Sequence, residues 1–245
     1  HWVITLQDRN SGETYTRCAK MLVNAGGPWV ADLLKNQLKI QSRETVRLVR
    51  GSHIVVPKLY DHDRCYFFQG TDGRIIFAIP YEEDYTLIGT TDADHSDADT
   101  APECTEAEQD YLVKFASEYF AKPVTRDQII WTYSGVRPLY DDGASSATAA
   151  TREYVLSLDQ NAAPLLNIFG GKITTYRKLA EAALDKISEA LPGVKSAWTA
   201  GISLPGGDFP VGEVKTLQDT LASDYPFLTA YASRRLIRAY GTEAR

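Results

Sequence analysis

The chain has 245 residues, of which 44% are hydrophobic and 24% are charged, and its formal net charge at pH 7 is −6. This composition is typical of a globular protein with one large or two modest domains. The acidic balance argues against nucleic acid as the main partner, and no apolar run approaches the roughly 20 residues of a membrane-spanning helix. The cysteines are odd in number and lack metal-ligand spacing, which predicts free thiols in a reducing compartment: Cys18, Cys65 and Cys104.

The first 40 residues predict a hairpin followed by a strand and a helix. Trp2–Leu6 and Thr14–Arg17 flank the turn residues Asn10-Ser11-Gly12, which is a hairpin pattern. Met21–Val30 then predicts a short apolar strand, a turn at Gly26-Gly27 and the start of a helix. Pro28 follows the glycines directly and suits the first position of that helix.

The middle of the chain is rich in short β-type runs separated by turns. The predicted strands are Val46–Pro57, Cys65–Phe68, Arg74–Pro80, Tyr85–Gly89, Gln128–Tyr133 and Glu153–Leu158. Nearly continuous apolar residues in Arg74–Ile79 predict a strand that is covered on both faces. Thr105–Glu108 is a capping-box pattern that opens a helix, and the small polar residues of Asp141–Thr151 predict a mobile loop. We interpret this region as a mixed α+β sheet domain inserted between two halves of another domain.

A second strand, glycine turn and helix follow at Leu165–Ile187. The turn is Gly170-Gly171, and apolar residues then recur at helical spacing as far as a predicted helix end near Ala190. Backbone N–H groups at such a helix start favour an anion or an electron-rich ligand edge, although the glycines alternatively make only a tight turn. If both strands share one sheet, the two glycine turns line one ligand site. Two further helices are predicted at Glu213–Ala222 and Leu228–Tyr240.

Four side chains are candidates for chemistry: His53, Arg137, Arg152 and Lys172. His53 lies in an apolar strand, where it is either a core histidine with satisfied ring nitrogens or a general base. The three cations stand near glycine turns or a loop in an acidic protein, and guanidinium groups bind phosphate or carboxylate bidentately. They therefore predict a site for a small anion. The sequence contains no metal-ligand cluster, no Gly-x-Ser-x-Gly and no Gly-x-Gly-x-x-Gly.

Four long motifs stand in order along the chain: Arg47–Pro57 (RLVRGSHIVVP), Ile88–Asp92 (IGTTD), Trp131–Leu139 (WTYSGVRPL) and Phe169–Ala180 (FGGKITTYRKLA). Shorter ones follow at Ala197-Trp198-Thr199 and Leu204–Gly207. Together they resemble the FAD-dependent glycerol-3-phosphate dehydrogenases, respiratory flavoenzymes of the D-amino-acid-oxidase-like superfamily. The resemblance extends from about residue 19 to the end of the chain.

The resemblance implies oxidation of sn-glycerol 3-phosphate at C2 to dihydroxyacetone phosphate, with hydride passing to FAD and electrons to a membrane quinone. It implies that His53 is the base for the C2 hydroxyl, that Arg137 faces the substrate and that Arg152 binds its phosphate. Lys172 is expected near the reacting carbons, where it stabilises developing charge. The implied cofactor-binding residues are Ala25, Gly26, Gly27, Trp29, Gly171, Lys172, Ile173, Thr174 and Thr175. The implied location is cytoplasmic and peripheral to the inner membrane, without metal or nucleic acid.

The fold class implied is α+β, or mixed α/β, in four parts. These are an FAD-domain fragment at 1–42, a substrate-binding cap domain at 43–160, the last strand and helix of the FAD domain at 161–192, and the start of a C-terminal helical domain at 193–245. The family's N-terminal βαβ unit, which holds the ADP half of FAD, is not found, and the chain begins at His1. We therefore expect an internal fragment that is inactive and binds FAD weakly or not at all. A stoichiometric yellow flavoprotein formed by residues 1–245 would contradict this.

Two alternatives stay open from the sequence. Another oxidase of the same superfamily, acting on an amine or a 2-hydroxy acid, would bind a carboxylate at Arg137 and leave Arg152 without a phosphate. A non-enzymatic binding module would show no flavin absorbance even in the whole protein. The oligomeric state and the identity of the quinone are not determined by the sequence.

Overall fold

The structure is a computed structural model that describes residues 1–193 and 195–245. It divides into two compact units, His1–Val194 and Lys195–Arg245. Several sheets and helices follow one another along the chain, so the predicted mixed α/β class is confirmed. The domain boundaries proposed inside this organisation, at residues 42, 160 and 192, stay predictions.

The described strands are β1 Trp2–Gln7, β2 Thr14–Ala19, β3 Leu22–Asn24, β4 Val46–Pro57, β5 Tyr66–Gln69, β6 Ile75–Tyr81, β7 Tyr85–Gly89, β8 Ala93–Asp94, β9 Trp131–Tyr140, β10 Tyr154–Asp159 and β11 Leu165–Gly170. The described α-helices are α1 Val30–Asp32, α2 Glu106–Ser117, α3 Tyr176–Ala190, α4 Val214–Asp224 and α5 Ala230–Tyr240. Strands β1 and β2 form the predicted N-terminal hairpin. Within the described residues, no helix is long and apolar enough to cross a membrane.

The large sheet has the strand order β5-β6-β7-β4-β8, and β9 also pairs with β4. All of these pairings are antiparallel, and β9 accompanies β4 from Val46 to Val55. Helix α2 begins at the predicted capping box, in which the Thr105 hydroxyl accepts a hydrogen bond from the Glu108 N–H. The helix packs on one face of the sheet around a buried core: Ile54, Val56, Ile76, Ala78, Ile88, Leu112, Phe115, Ala116 and Val124.

Strand β6 is covered on one face only, so the prediction of burial on both faces was wrong. Ile76 and Ala78 are 0% and 1% exposed, whereas Ile75 and Phe77 are 42% and 40% exposed. The prediction failed because an unbroken apolar run does not show whether a second layer covers the sheet. On the open face the rings of Phe67 and Phe77 form an edge-to-face pair.

The small sheet brings the two glycine turns to the same edge. Its order is β10-β11-β3, with β11 antiparallel to β10 and parallel to β3. Asn167 lies opposite Asn24, the last residue of β3, and β11 continues beyond this pair to Gly170. The Gly26-Gly27 and Gly170-Gly171 segments therefore follow the carboxyl ends of adjacent parallel strands, which is where open sheets of this kind bind ligands.

Helix α3 ends at Ala190, as predicted, but its first turn differs from the prediction. Residues Ile173–Thr175 form a 3-10 turn before the α-helix starts at Tyr176. Ile173 is 85% exposed and Tyr176 is 48% exposed, although both are among the apolar residues that recur at helical spacing after the glycine turn. Local periodicity shows which side chains share a face, whereas tertiary packing decides how much of that face is covered.

The region between residues 126 and 151 departs from the predicted pattern. A 3-10 turn at Arg126–Gln128 precedes β9, which starts at Trp131 and not at residue 128. The loop 141–151 contains no helix or strand, as predicted, yet Ala147 and Ala150 are buried against Val49 and Leu139. Small side chains allow this loop to close over the sheet. Its mobility stays a prediction.

The second unit contains the two helices predicted near the C-terminus, α4 and α5. Gly206 and Gly241 approach each other through their backbones, and a Cβ on Gly206 would lie 2.0 Å from the Tyr240 carbonyl oxygen. The Thr242 N–H also donates to the Gly206 carbonyl at 3.0 Å. Glycine at residue 206 is therefore a packing requirement of this unit.

Candidate functional site

His53 lies in a slot between two neighbouring strands of the large sheet. It stands opposite Tyr133 of β9 and Gly89 of β7. The His53 and Tyr133 rings stack, with centroids 4.8 Å apart and planes 5° from parallel. A Cβ on Gly89 would lie 2.2 Å from the His53 Cδ2 atom. Strand pairing and the missing side chain at Gly89 together set the orientation of the imidazole.

The imidazole of His53 is neutral near pH 7. Burial of the ring, and then the positive charge of Arg137, lower the pKa of His53 to about 4, because both disfavour the imidazolium form. The His53 Nδ1 atom is buried and has no hydrogen-bond partner among the described residues. A core histidine would have satisfied ring nitrogens, whereas a neutral ring with an unpaired nitrogen is able to accept a proton.

The lowered pKa of His53 predicts a loss of stability in mild acid. An unfolded histidine titrates near 6.5, so between about pH 6.5 and pH 4 the unfolded chain binds the proton that the folded chain excludes. The contribution of His53 to the free energy of unfolding is therefore fully present above about pH 6.5 and is lost as the pH drops towards 4. Because part of the ring stays in contact with water, we expect about 2 kcal/mol of this loss between pH 7 and pH 4.5.

Urea-induced unfolding at pH 7 and pH 4.5 checks this expectation, with His53→Asn as the comparison. The variant should lose about 2 kcal/mol less than the unchanged protein over this interval. The lowered pKa of Glu108 also makes stability fall as the pH approaches 4.5, but Glu108 is present in both proteins, so its effect cancels in the comparison. An equal pH dependence in both proteins would show that His53 is not the responsible group.

Arg137 lies across the backbone of Gly51, next to His53 on the same strand pair. A Cβ on Gly51 would lie 2.3 Å from Arg137 Nη2, so the guanidinium occupies the space that a side chain would fill. Arg137 Nη1 donates to Asp92 Oδ1 at 2.7 Å, and Arg137 Nη2 donates to Thr90 Oγ1 at 3.0 Å. The guanidinium is thus held in a defined plane beside the imidazole.

Arg152 reaches the same carboxylate from the other side. Its Nη2 atom lies 3.6 Å from Asp92 Oδ2. One carboxylate therefore serves two guanidinium groups, which leaves a formal charge of +1 on the three side chains together. A positive cluster of this kind, with both arginines still partly exposed, suits a small anion such as a phosphate.

A buried polar network lies behind this cluster, on the α2 side of the sheet. Glu108 accepts hydrogen bonds from Ser52 Oγ at 3.0 Å, Thr91 Oγ1 at 2.7 Å and Arg50 Nη2 at 3.0 Å. Burial by itself raises the pKa of Glu108, but hydrogen bonds from Thr105, Thr91 and Ser52 outweigh it and lower this pKa to about 2. The carboxylate therefore stays ionised and ties the start of α2 to strand β4.

A pair of buried asparagines shapes the first glycine turn. Asn24 Nδ2 donates to Asn167 Oδ1 at 3.1 Å, and to the Val30 carbonyl at 3.0 Å. Asn24 Oδ1 accepts from the Gly26 N–H at 3.3 Å. These bonds link the end of β3 to the middle of β11 and hold the backbone of the Gly26-Gly27 segment. Gly27 has a φ of +54°, and a Cβ there would meet nothing within 4 Å.

The remaining predicted cofactor residues lie on the two turns beyond these strand ends. Ala25 and Trp29 are exposed at the first turn, where Trp29 Nε1 donates to Asp99 Oδ1 at 2.9 Å. At the second turn Gly170 and Gly171 have φ values of +76° and +99°. The residues after them face solvent to a large extent, and Thr175 Oγ1 accepts from the Lys172 N–H at 3.2 Å.

The structure thus brings His53, Arg137 and Arg152 into one cluster and brings the two glycine turns to one sheet edge. No described contact joins the Lys172 side chain to the arginines. Sequence reasoning assigned no role to Asp92, although its motif ends on that residue, and it overlooked the Asn24–Asn167 pair. The available signal for the asparagine pair was a polar residue in each of two otherwise apolar strands. In residues 1–193 and 195–245 no group of three or more acidic, His or Cys side chains is placed to hold a metal.

The chain matches a known class of flavin-dependent oxidoreductases. Residues 1–177 match the protein-family model described as "DAO: FAD dependent oxidoreductase". This match covers the greater part of the chain, so the chain belongs to this family of FAD-dependent oxidoreductases.

Individual relatives agree with the family assignment. The chain is 42% identical over 245 residues to the aerobic glycerol-3-phosphate dehydrogenase of Escherichia coli (strain K12), covering 99% of this chain and 49% of that protein. It is 40% identical over 245 residues to the D-erythritol 1-phosphate dehydrogenase of Brucella abortus (strain 2308), covering 100% of this chain and 49% of that protein. The chain spans about half the length of the curated relatives it matches.

A solved structure with a similar fold is the glycerol-3-phosphate dehydrogenase from Bacillus halodurans complexed with FAD. The TM-score is 0.77 and the sequence identity 29%, and the match covers 99% of this chain and 47% of that one. The predicted resemblance to the glycerol-3-phosphate dehydrogenases is therefore confirmed.

Proposed function

We propose that the whole protein is an FAD-dependent dehydrogenase that oxidises glycerol 3-phosphate at C2 to dihydroxyacetone phosphate. The observation that carries the proposal is the pair of arginines held on Asp92 beside a neutral His53. Guanidinium groups suit a phosphate, and a neutral imidazole suits the proton of a neighbouring hydroxyl. Relatives named as dehydrogenases of glycerol 3-phosphate and of D-erythritol 1-phosphate support a polyol phosphate as substrate.

In this proposal the substrate lies between the arginines and the imidazole. Arg152 binds the phosphate, and Arg137, which is held on the same Asp92 carboxylate, faces the substrate next to His53 and adds to the phosphate site. A ring nitrogen of His53 takes the C2 hydroxyl proton. A bound phosphate dianion offsets the positive charge of Arg137 and thereby raises the pKa of His53 above its value of about 4. The phosphate thus offsets the smaller of the two causes of the low pKa, whereas burial of the ring, the larger cause, remains.

The residues at the two glycine turns fit an FAD-binding role. Gly26-Gly27 and Gly170-Gly171 follow adjacent parallel strands, and a Cβ at Gly27 would point into open space where a ligand can approach the backbone. Ala25, Gly26, Gly27 and Trp29 would hold the cofactor from one side, and the segment Gly171–Thr175 from the other. When bound, FAD supplies the hydride acceptor. The N–H groups at the start of α3 favour negative charge in front of them.

Lys172 is proposed as an active-site cation. It follows the glycine pair directly and its side chain is exposed. At this position an ammonium group stabilises negative charge that develops on the substrate oxygen. His53, Arg137 and Lys172 are the residues to which we assign the catalytic roles.

The alternatives differ in what Arg152 would bind. An amine or a 2-hydroxy acid carries no phosphate, so an oxidase for such a substrate leaves Arg152 without a ligand. A longer polyol phosphate keeps both arginines in use, and the Brucella abortus relative favours it as the second candidate. Comparison of kcat/KM for glycerol 3-phosphate, D-erythritol 1-phosphate and 2-hydroxy acids in the whole protein separates these functions. Turnover of the unphosphorylated acids alone would contradict the proposal.

Replacing Arg152 by Ala should raise KM for glycerol 3-phosphate by about tenfold or more, because a charge-assisted contact to the phosphate is lost. Steady-state kinetics of the whole enzyme measure this. The matched control is Arg126→Ala, which removes an arginine whose ion pair with Asp110 lies on the surface. An unchanged KM in the Arg152 variant would remove Arg152 from the site.

We also propose, on the motif resemblance, that the whole protein passes its electrons to a quinone at the cytoplasmic face of the inner membrane. The word "aerobic" in the name of the Escherichia coli relative agrees with a respiratory role. Reduction of a ubiquinone analogue by the substrate-reduced enzyme is the expected result, together with recovery in the membrane fraction at low salt. An enzyme that reduces no quinone and stays in the supernatant would contradict both parts.

A further inference from the structure

The carboxylate of Asp92 connects the two arginines of the site. Its Oδ1 accepts from Arg137 Nη1 at 2.7 Å, and its Oδ2 lies 3.6 Å from Arg152 Nη2. The Asp92 side chain is 15% exposed, compared with 29% for Arg137 and 37% for Arg152. The carboxylate therefore lies deeper than the two groups it holds, which leaves part of each guanidinium free for a ligand.

Two further features fix the guanidinium of Arg137. Thr90 Oγ1 accepts from Arg137 Nη2 at 3.0 Å and donates to the Thr91 carbonyl at 3.0 Å. The missing side chain at Gly51 provides the space in which the guanidinium lies. Asp92 and Thr90 thus occupy two donors of Arg137 and orient the remaining ones.

The segment that carries these acceptors is anchored from behind. Thr91 Oγ1 accepts from the Ser52 N–H at 3.0 Å and donates to Glu108 Oε1 at 2.7 Å. Thr91 and Glu108 are both buried, so these bonds are made in a place that water does not reach easily. The side chains on either side of Thr91 consequently have a rigid base on strand β4 and helix α2.

We infer that Asp92 is a positioning residue that directs both guanidinium groups towards the phosphate of the substrate. This inference rests on the proposed function and adds to it a residue that does not itself contact the substrate. The Glu108-anchored segment Thr90–Asp92 aligns Arg137 and Arg152 before the substrate arrives, so their side-chain freedom is already restricted when binding occurs.

Asp92 can affect phosphate affinity in two ways, through its charge and through its hold on the arginines, and these two effects have opposite signs. As a bare negative charge near an anion site it repels phosphate, and its removal would tighten phosphate binding. As a positioning group it holds two donors in place, and its removal weakens binding of the phosphate. The direction of the change in affinity therefore separates the two roles.

The test replaces Asp92 by Asn in the whole FAD-loaded enzyme. We expect KM for glycerol 3-phosphate and the inhibition constant of inorganic phosphate to rise together by about tenfold, with the flavin content unchanged. A general loss of folding would lower kcat and the flavin content instead. An unchanged or lower inhibition constant for phosphate in a folded variant would overturn the inference.

The matched control is Asp94→Asn. Asp94 lies two residues further on and accepts two hydrogen bonds from Arg47, at 2.6 Å and 2.8 Å, so the substitution removes a comparable ion pair outside the site. KM and the phosphate inhibition constant should stay unchanged in this variant. If both substitutions weaken phosphate binding equally, Asp92 has only a general structural role.

A second pair of variants applies if Asp92→Asn does not fold. Thr90→Val removes the acceptor of Arg137 Nη2 at nearly constant shape, and Thr90→Ser keeps the hydroxyl. A higher phosphate inhibition constant in the Val variant alone supports positioning by this segment, and equal constants in both overturn it. Calorimetric titration with inorganic phosphate needs no turnover. If the wild-type protein is inactive on glycerol 3-phosphate, the proposed function is refuted, but phosphate titration of the variants still tests the inference.

Discussion

Replacing His53 by Asn in the whole enzyme is expected to lower kcat for glycerol 3-phosphate about 100-fold or more, with FAD content and fold retained. A positioned general base contributes on the order of 10²–10⁴ in rate, and the Asn side chain has no group that takes a proton at neutral pH. The stacking partner Tyr133 and the open position at Gly89 remain, so the slot keeps its shape. The rate of substrate-driven bleaching of the flavin absorbance, measured without oxygen, reports the step directly.

The control for this prediction is His62→Asn, at an exposed histidine that hydrogen-bonds to the Tyr66 hydroxyl. It should leave the rate of flavin reduction unchanged. The interpretation of His53 as a core histidine makes the opposite prediction. In that case His53→Asn would change the unfolding free energy but keep kcat within about threefold, and the catalytic role would have to be given up.

Replacing Gly170 by Ala should destabilise the protein by about 3 kcal/mol. At φ +76° a Cβ costs roughly 1–2 kcal/mol by itself. The new atom would also lie 2.8 Å from the Tyr140 nitrogen and 2.9 Å from the Glu153 carbonyl oxygen. Both are backbone atoms, which cannot rotate away as a side chain would. The midpoint of urea-induced unfolding, followed by circular dichroism, measures the loss.

Gly143→Ala is the matched control for Gly170→Ala. Gly143 also has a φ of +76°, but a Cβ there would meet nothing within 4 Å. This variant should show only the conformational cost, about 1 kcal/mol, and the difference between the two variants isolates the clash with Tyr140 and Glu153. Equal losses would mean that the backbone around Gly170 adjusts without cost.

The result for Gly170 also helps to decide whether the glycine turn only makes a tight turn or also lines a ligand site. The backbone contacts make glycine necessary at residue 170 for packing alone. Gly27, at the other turn, has no such neighbour, yet its φ is +54°. The structural interpretation is therefore sufficient at Gly170, while the approach of a ligand to the backbone is better supported at Gly27.

Local features of the fold were predictable because neighbouring residues decide them. Strands β4 and β7 occupy the ranges predicted from their apolar runs, Val46–Pro57 and Tyr85–Gly89. The capping box at Thr105 starts α2, and α3 ends at Ala190, as predicted. The exposed face of β6 and the solvated Ile173 were not predictable, since exposure depends on which other elements lie above a strand or helix.

The sequence by itself determined the residue types of the site: a histidine in a strand, three cations and two glycine turns, in motifs that belong to one family. Only the tertiary structure decided how they combine. Arg137 hydrogen-bonds to Asp92, 45 residues away in the sequence, and Asn24 hydrogen-bonds to Asn167, 143 residues away. His53 acquires its low pKa from burial and from Arg137, which lies beside it only because β9 pairs with β4. Electrostatic interactions act through space, so the pKa of His53 cannot be read from the residues that are its neighbours in the sequence.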